Sequence, residues 1–170
     1  MKNTCNPPVP ACVAVKETLP VVPQYLHAHY WWAYIHPRAV HFFERQWLVN
    51  LILWGNYKRL CNAVLHDYGN HLPGRTLQVA CAYGDLTPRL AACVAPGGSL
   101  EIVDILPIQL ENLAGKLGQD APIKLHCMDS AALSFANASY DRALLFFLLH
   151  EQPQAVRERT LAEALRVVRP

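Results

Sequence analysis

Leu77-Gln78-Val79-Ala80-Cys81-Ala82-Tyr83-Gly84-Asp85 changes character half-way along. It begins as a strand and ends as a tight turn that hands over to a helix. Leu77, Val79 and Cys81 alternate with smaller or polar residues, and Thr76 and Val79 favour extended backbone. Gly84 interrupts the alternation. Thr87 is the expected helix N-cap, with Pro88 at the first helical position, where its missing N–H costs nothing. Leu86, Leu90 and Val94 then recur every four residues. A strand–turn–helix of this shape aims backbone N–H groups and the positive end of the helix at a ligand. Taken alone, the residues fit either such a ligand loop or a βα turn that binds nothing.

Toward the carboxyl end the unit repeats. Pro96-Gly97-Gly98 is a turn, and Leu100 to Asp104 is a second strand with its acid last. Pro107 opens a helix through Leu110, Leu113 and Leu117, stopped by Gly118. Ile123 to Cys127 is a third strand, followed by Met128-Asp129-Ser130. The fourth strand is expected over Tyr140 to Leu148. Its run Ala143 to Leu149 is continuously apolar, as in a strand covered on both faces. After His150-Glu151-Gln152-Pro153, an amphipathic helix runs through Val156, Leu161, Leu165 and Val168. Alternating units imply a Rossmann-like α/β fold: a parallel sheet with right-handed crossovers and a ligand at the carboxyl edge.

Toward the amino end the chain is different. Residues 1–23 carry Pro7, Pro8, Pro10, Pro20 and Pro23 and read as a disordered or extended arm. Residues 24–72 read as a helical cap and residues 73–170 as the α/β core. The cap opens on Tyr25-Leu26-His27-Ala28-His29-Tyr30-Trp31-Trp32-Ala33-Tyr34-Ile35. Val40, Phe43, Trp47, Leu51 and Trp54 then form one helical stripe, broken by Gly55-Asn56, and a further helix closes at Gly69-Asn70. Such a cap packs on the sheet, forms a lid for a planar apolar substrate, or touches a membrane surface; these roles are compatible.

Of the 170 residues, 52% are hydrophobic and 16% charged, with a net charge of +2. Lys58-Arg59 is the only adjacent basic pair, so nucleic acid is not an expected partner. The chain shows no signal-peptide pattern, and its longest apolar run, Trp47 to Trp54, is too short to span a bilayer. The six cysteines show no CxxC spacing; Cys61, Cys81, Cys93 and Cys127 fall in expected helices or strands and read as small buried hydrophobes in a reducing cytoplasm.

The frame of the opening stretch resembles the first motif of class I S-adenosylmethionine-dependent methyltransferases, acidic-x-Gly-x-Gly-x-Gly. Gln78 stands at the acidic position, Ala80 and Ala82 at the first two glycines, and Gly84 at the third. Each alanine adds a methyl where backbone and ligand approach, so either the loop shifts or the ligand sits differently. The resemblance implies that Gln78, Ala80, Ala82, Tyr83 and Gly84 form the cofactor loop. It implies that Asp104, with Ile105 beside it, accepts the ribose hydroxyls, and that Asp129 and Ser130 read the adenine. Asp141 is structural in that comparison. A solvated acid at a strand end is the other reading of Asp104.

Val-Ala-Cys-Ala-Tyr-Gly-Asp at 79–85, Trp-Gly-Asn-Tyr at 54–57 and Leu-Leu-His-Glu-Gln-Pro at 148–153 look like the rhodoquinone-biosynthesis methyltransferase-like family, RquA. The likeness runs from Tyr25 to Pro170. It implies conversion of ubiquinone to rhodoquinone, with a ring methoxy group replaced by an amino group taken from S-adenosylmethionine. It also implies help from manganese, Mn2+, and a cytoplasmic enzyme peripheral to the inner membrane. Tyr30, Tyr34 and His150 are then the candidate catalytic side chains, with Tyr25, Trp31 and Tyr57 packing on the quinone. Asp85, Glu151 and His150 are the candidate metal ligands, although Glu151 also reads as a helix N-terminal acid favoured by the dipole. Two other functions stay open: a conventional quinone or phenol methyltransferase, and a non-catalytic binding module. In that fold the sequence after Pro170 would continue into a glycine turn and three more strands, so a truncated core is expected here.

Overall fold

A computed structural model describes residues 20–23, 46–81, 83–117 and 123–170. Helices α1 (Gln46–Ile52) and α2 (Asn56–Tyr68) precede an alternating core of β1 (Arg75–Val79), α3 (Leu86–Ala92), β2 (Ser99–Asp104) and α4 (Pro107–Ala114). Strands β3 (Ile123–Cys127) and β4 (Arg142–Leu145), a 3-10 turn at Leu149–Glu151 and helix α5 (Gln154–Val167) complete it. The four strands are parallel in the order β3-β2-β1-β4. Leu77 of β1 lies opposite Glu101 of β2 and Ala143 of β4.

Period-two alternation sorts side chains between the two faces of the sheet. Leu100, Ile102 and Leu144 join Tyr57 and Cys61 of α2, Leu86 and Leu90 of α3, and Leu110 and Leu113 of α4 in one core cluster. Leu77, Val79 and Val103 face Leu133, Tyr140 and Val167 in a second. Asp141 is structural, as expected: one oxygen accepts the Arg75 N–H at 2.6 Å and the other the Arg169 guanidinium at 2.7 Å. Among the described residues Cys61 and Cys93 are free thiols, and burial pushes the Cys61 thiol up.

Four expectations are corrected. The fourth strand is shorter than its apolar run. It ends at Leu145, and Phe147 then takes a left-handed backbone, φ 58°, which leads into the 3-10 turn. Helix α5 buries Thr160, Ala164 and Val167, whereas Leu161 and Leu165 are exposed. The small face fits closely against the sheet, and the Thr160 hydroxyl meets that of Ser130 at 3.1 Å. Thr87 is not a cap: α3 starts at Leu86, and the Thr87 hydroxyl is buried against Gln78. In the cap, the stripe Trp47, Leu51 and Trp54 faces solvent while Val49 and Leu53 pack on the core. Val40 and Phe43 lie outside the described residues.

Candidate functional site

Parallel pairing brings the carboxyl ends of all four strands to one edge. There the segment after β1 meets Asp104 at the end of β2, Met128 to Ser130 after β3, and Phe146 to Gln152 after β4. Two non-glycine residues on this edge, Ala80 and Phe147, hold left-handed backbone, with φ 72° and 58°. Left-handed backbone is disfavoured for any residue with a Cβ and gathers where structure serves function. Ala80 occupies the first signature glycine, so the loop keeps the glycine conformation without the glycine. Ala80→Gly is therefore expected to raise folding stability by about 0.5–1 kcal/mol, once the entropy of the freer unfolded chain is subtracted. A thermal melt with a lower midpoint than the parent would contradict this.

Gln78 turns inward and has no exposed surface. Its amide nitrogen donates to the Ala80 carbonyl at 3.0 Å and to the Thr87 hydroxyl at 2.9 Å. The Thr87 hydroxyl lies 3.1 Å from its amide oxygen. The expected cofactor contact at Gln78 is thus corrected. Gln78 shapes the loop and ties it to α3, because a fully enclosed side chain cannot touch a ligand.

Tyr57 is likewise inside: only 2% exposed, it lies edge-on to Phe146 and donates its hydroxyl to the Tyr83 carbonyl. Gly84, at φ 80°, explains the surviving glycine, because a Cβ there would meet the Tyr57 hydroxyl at 3.0 Å. The expected packing of Tyr57 on a quinone is replaced by this core role. Tyr83 also accepts the Gln109 amide on its hydroxyl at 3.0 Å, and Lys116 donates to the Gly84 carbonyl at 3.0 Å. These bonds draw the loop toward α2 and α4. Ala82, Tyr25, Tyr30, Trp31 and Tyr34 lie outside the described residues.

Asp104 bridges the strand ends. Oδ2 accepts the Cys81 N–H at 2.8 Å and Oδ1 the Leu106 N–H at 2.9 Å. Burial pushes its carboxyl above the ordinary value against the pull of those N–H groups. It is not the solvated acid of the alternative reading. Its oxygens retain lone pairs for further donors. Ile105, next along, is half-buried.

Asp129 folds its Oδ1 back onto the Ala131 N–H at 2.8 Å, a turn that holds the chain after β3. Ser130 accepts from the Gln152 amide nitrogen at 3.1 Å, and Gln152 is itself buried. The Gln152 Oε1 is buried without a hydrogen-bond partner, where the segments after β3 and β4 meet. The sequence reading gave Gln152 no role. Its place in the quoted run 148–153 was the only signal.

Among the described residues, no group of three His, Cys, Asp or Glu side chains is placed to hold a metal ion. The 3-10 turn does bring His150 and Glu151 together, Nε2 to Oε1 at 3.8 Å. Asp85 does not complete a set with them. It stands just before α3 and makes no group of three with them, which corrects the expected Asp85, His150 and Glu151 ligand set.

The methyltransferase-domain family profile matches residues 76–170, more than half of the chain. The chain belongs to this family. A demethylmenaquinone methyltransferase of Staphylococcus aureus is 29% identical over 123 residues, covering 72% of this chain and 50% of the relative. The chain thus spans about half the length of the curated relatives it matches. A Burkholderia thailandensis 1,6-didemethyltoxoflavin-N1-methyltransferase, solved with S-adenosylhomocysteine, superposes with TM-score 0.58 at 20% identity. It covers 91% of this chain and 63% of that one. An Aquifex aeolicus methyltransferase gives TM-score 0.54 at 20% identity, over 65% and 58%. The architecture is the class I methyltransferase fold, and its strand order places the altered glycine loop at the centre of the sheet edge.

Proposed function

We propose that the chain is the cofactor-binding core of an S-adenosylmethionine-dependent transferase that modifies a quinone ring. The observation that carries the reading is the convergence on one sheet edge of left-handed Ala80, Asp104 and Asp129. When bound, S-adenosylmethionine supplies an activated methyl group and an amino nitrogen. Asp104 accepts the ribose hydroxyls, and Asp129 with the Ser130 N–H faces the adenine. His150, exposed in the 3-10 turn after β4, offers a proton acceptor beside the substrate. Tyr30 and Tyr34 supply hydroxyls to the quinone carbonyls.

Within this reading, the resemblance and the glycine-poor loop support amino transfer to ubiquinone, giving rhodoquinone. The demethylmenaquinone methyltransferase relative supports methyl transfer instead. Manganese does not fit the described residues beyond the His150–Glu151 pair, so no step is assigned to it. The deciding experiment incubates the full-length protein with ubiquinone and S-adenosylmethionine labelled separately at the amino nitrogen and the methyl carbon. Nitrogen label in the product, read by mass spectrometry, selects amino transfer, and carbon label selects methyl transfer. Neither label in a product removes the transferase reading.

Asp104→Ala is expected to weaken S-adenosylhomocysteine binding by about 1.5–3 kcal/mol, the worth of charged hydrogen bonds. Calorimetry showing unchanged affinity would take Asp104 out of the site.

A further inference from the structure

We propose that the corner between α1 and α2 is a docking surface for an anionic lipid bilayer, with Trp47, Leu51 and Trp54 as the inserted side chains. Trp47 is 60% exposed, Leu51 67% and Trp54 91%. With Asn50 and Gly55 they line a groove of about 460 Å³ on the outside of the fold. Three large apolar side chains on one exposed corner form a patch that a water-facing surface does not favour.

The corner is built rather than frayed. Trp54 and Gly55 are both left-handed, with φ 53° and 78°. A bulky aromatic is strained there, and strain of this kind persists only where the surroundings impose it. Here the Gly55 N–H donates to the Asn50 carbonyl at 2.7 Å, and the Lys58 N–H to the Asn50 side chain at 3.3 Å. The left-handed turn ends α1 and throws the Trp54 indole outward. Tryptophan prefers the boundary between water and hydrocarbon, where its ring is buried and its N–H stays wet.

Charge selects the partner. Residues 46–66 hold Lys58 and Arg59 and no acidic residue, and both cations are solvent-exposed just beyond the corner. An apolar wedge flanked by cations matches an anionic lipid surface. A second protein with an apolar face would not need the cations. Tyr57, in the first turn of α2, reaches the cofactor loop through Tyr83, so docking here would bring the carboxyl edge of the sheet to the bilayer. This use rests on the quinone reading above; the binding itself does not.

The test mixes the full chain, without cofactor or quinone, with phosphatidylcholine vesicles that are neutral or roughly one-third phosphatidylglycerol. Flotation is expected to bring the parent up with the anionic vesicles and leave it behind with the neutral ones. Leu51→Gln with Trp54→Asn is expected to weaken this binding about tenfold or more; asparagine tolerates the left-handed backbone, so the corner should keep its shape. Lys58→Gln with Arg59→Gln should act like added salt at about 0.5 M, which screens the attraction. No vesicle binding by the parent, or equal binding by all variants, overturns the proposal. So does a parent dimer that the Leu51→Gln, Trp54→Asn variant dissociates without loss of vesicle binding, because a second copy then covers the face. Protection of the indoles from acrylamide before vesicles are added, lost in that variant, would assign the face to the chain's own residues and equally overturn it. Retained vesicle binding with no isotope transfer would sink the quinone reading alone.

Discussion

Replacing Glu101 by alanine is expected to remove about 3 kcal/mol of folding stability at pH 7, with the loss shrinking steadily as the pH falls from about 5 to 2. Glu101 stands in the middle of β2 and is 3% exposed. Its Oε2 lies 2.8 Å from His126 Nε2 on β3, and its Oε1 accepts Arg75 Nη2 of β1 at 2.8 Å. The His126 hydrogen bond, and then the Arg75 guanidinium, outweigh burial and take its carboxyl from 4.5 to about 2. Because the folded value is depressed, the stabilisation is present above the unfolded value near 4.5. It is lost as protons bind on the way down to about 2. Beside it, burial and the Glu101 charge push the Tyr140 hydroxyl up. A single carboxylate therefore ties three strands together on the face away from α2, and removing it strands two donors. Glu101→Gln keeps the volume and should show most of the same loss. Denaturant unfolding of parent and variant at matched pH gives the difference directly. A difference that stays constant from pH 7 to pH 2.5 would show that the contribution is packing and not charge (roughly the window set by the carboxylate shift).

The second large effect concerns the position where the methyltransferase motif carries an acid. Gln78→Glu, which restores the family residue, is expected to destabilise this chain by about 2–4 kcal/mol at pH 7. The amide nitrogen of Gln78 is the donor that meets the Ala80 carbonyl and the Thr87 hydroxyl. A carboxylate has no such donor and would face the Ala80 carbonyl without solvent. Enclosure raises the folded-state value of the new carboxyl above its unfolded value. The penalty is thus small below about pH 4 and grows as the pH rises past the unfolded value. Comparison with the parent at each pH cancels the contribution of Glu101. A Gln78→Glu protein as stable as the parent at pH 7 would mean that the loop rearranges to give the carboxylate donors.

The core was legible because its signals are local. Pro107 opens a helix by its fixed φ, β-branched and leucine alternation marks Ser99–Asp104 and Ile123–Cys127, and βα repetition dictates a parallel sheet whose strands end on one edge. Those features place Asp104 and Asp129 at the carboxyl edge of the sheet. The family motif could be aligned even with three of its positions altered, since strand, turn and helix kept their spacing.

Tertiary contacts decided the rest. Whether Trp47 or Val49 faces the core depends on how α1 lies against α2, and a short helix that is apolar nearly all round carries no period that answers this. The fourth strand stops at Leu145 although its apolar run goes on, because Phe147 takes a left-handed backbone that hydrophobicity does not encode. Gln78 looked like a ligand contact until the Thr87 hydroxyl, nine residues away, closed over it. Tyr57 looked like substrate surface until the carbonyl of Tyr83, 26 residues on, accepted its hydroxyl. Asp85, His150 and Glu151 follow neighbouring strands and still form no metal set among the described residues. By itself the sequence determined which segments are strands and helices and in what order they run, since those choices are made by neighbours along the chain. Only the tertiary structure decided which side chains are enclosed and which face outward, since that depends on partners tens of residues away.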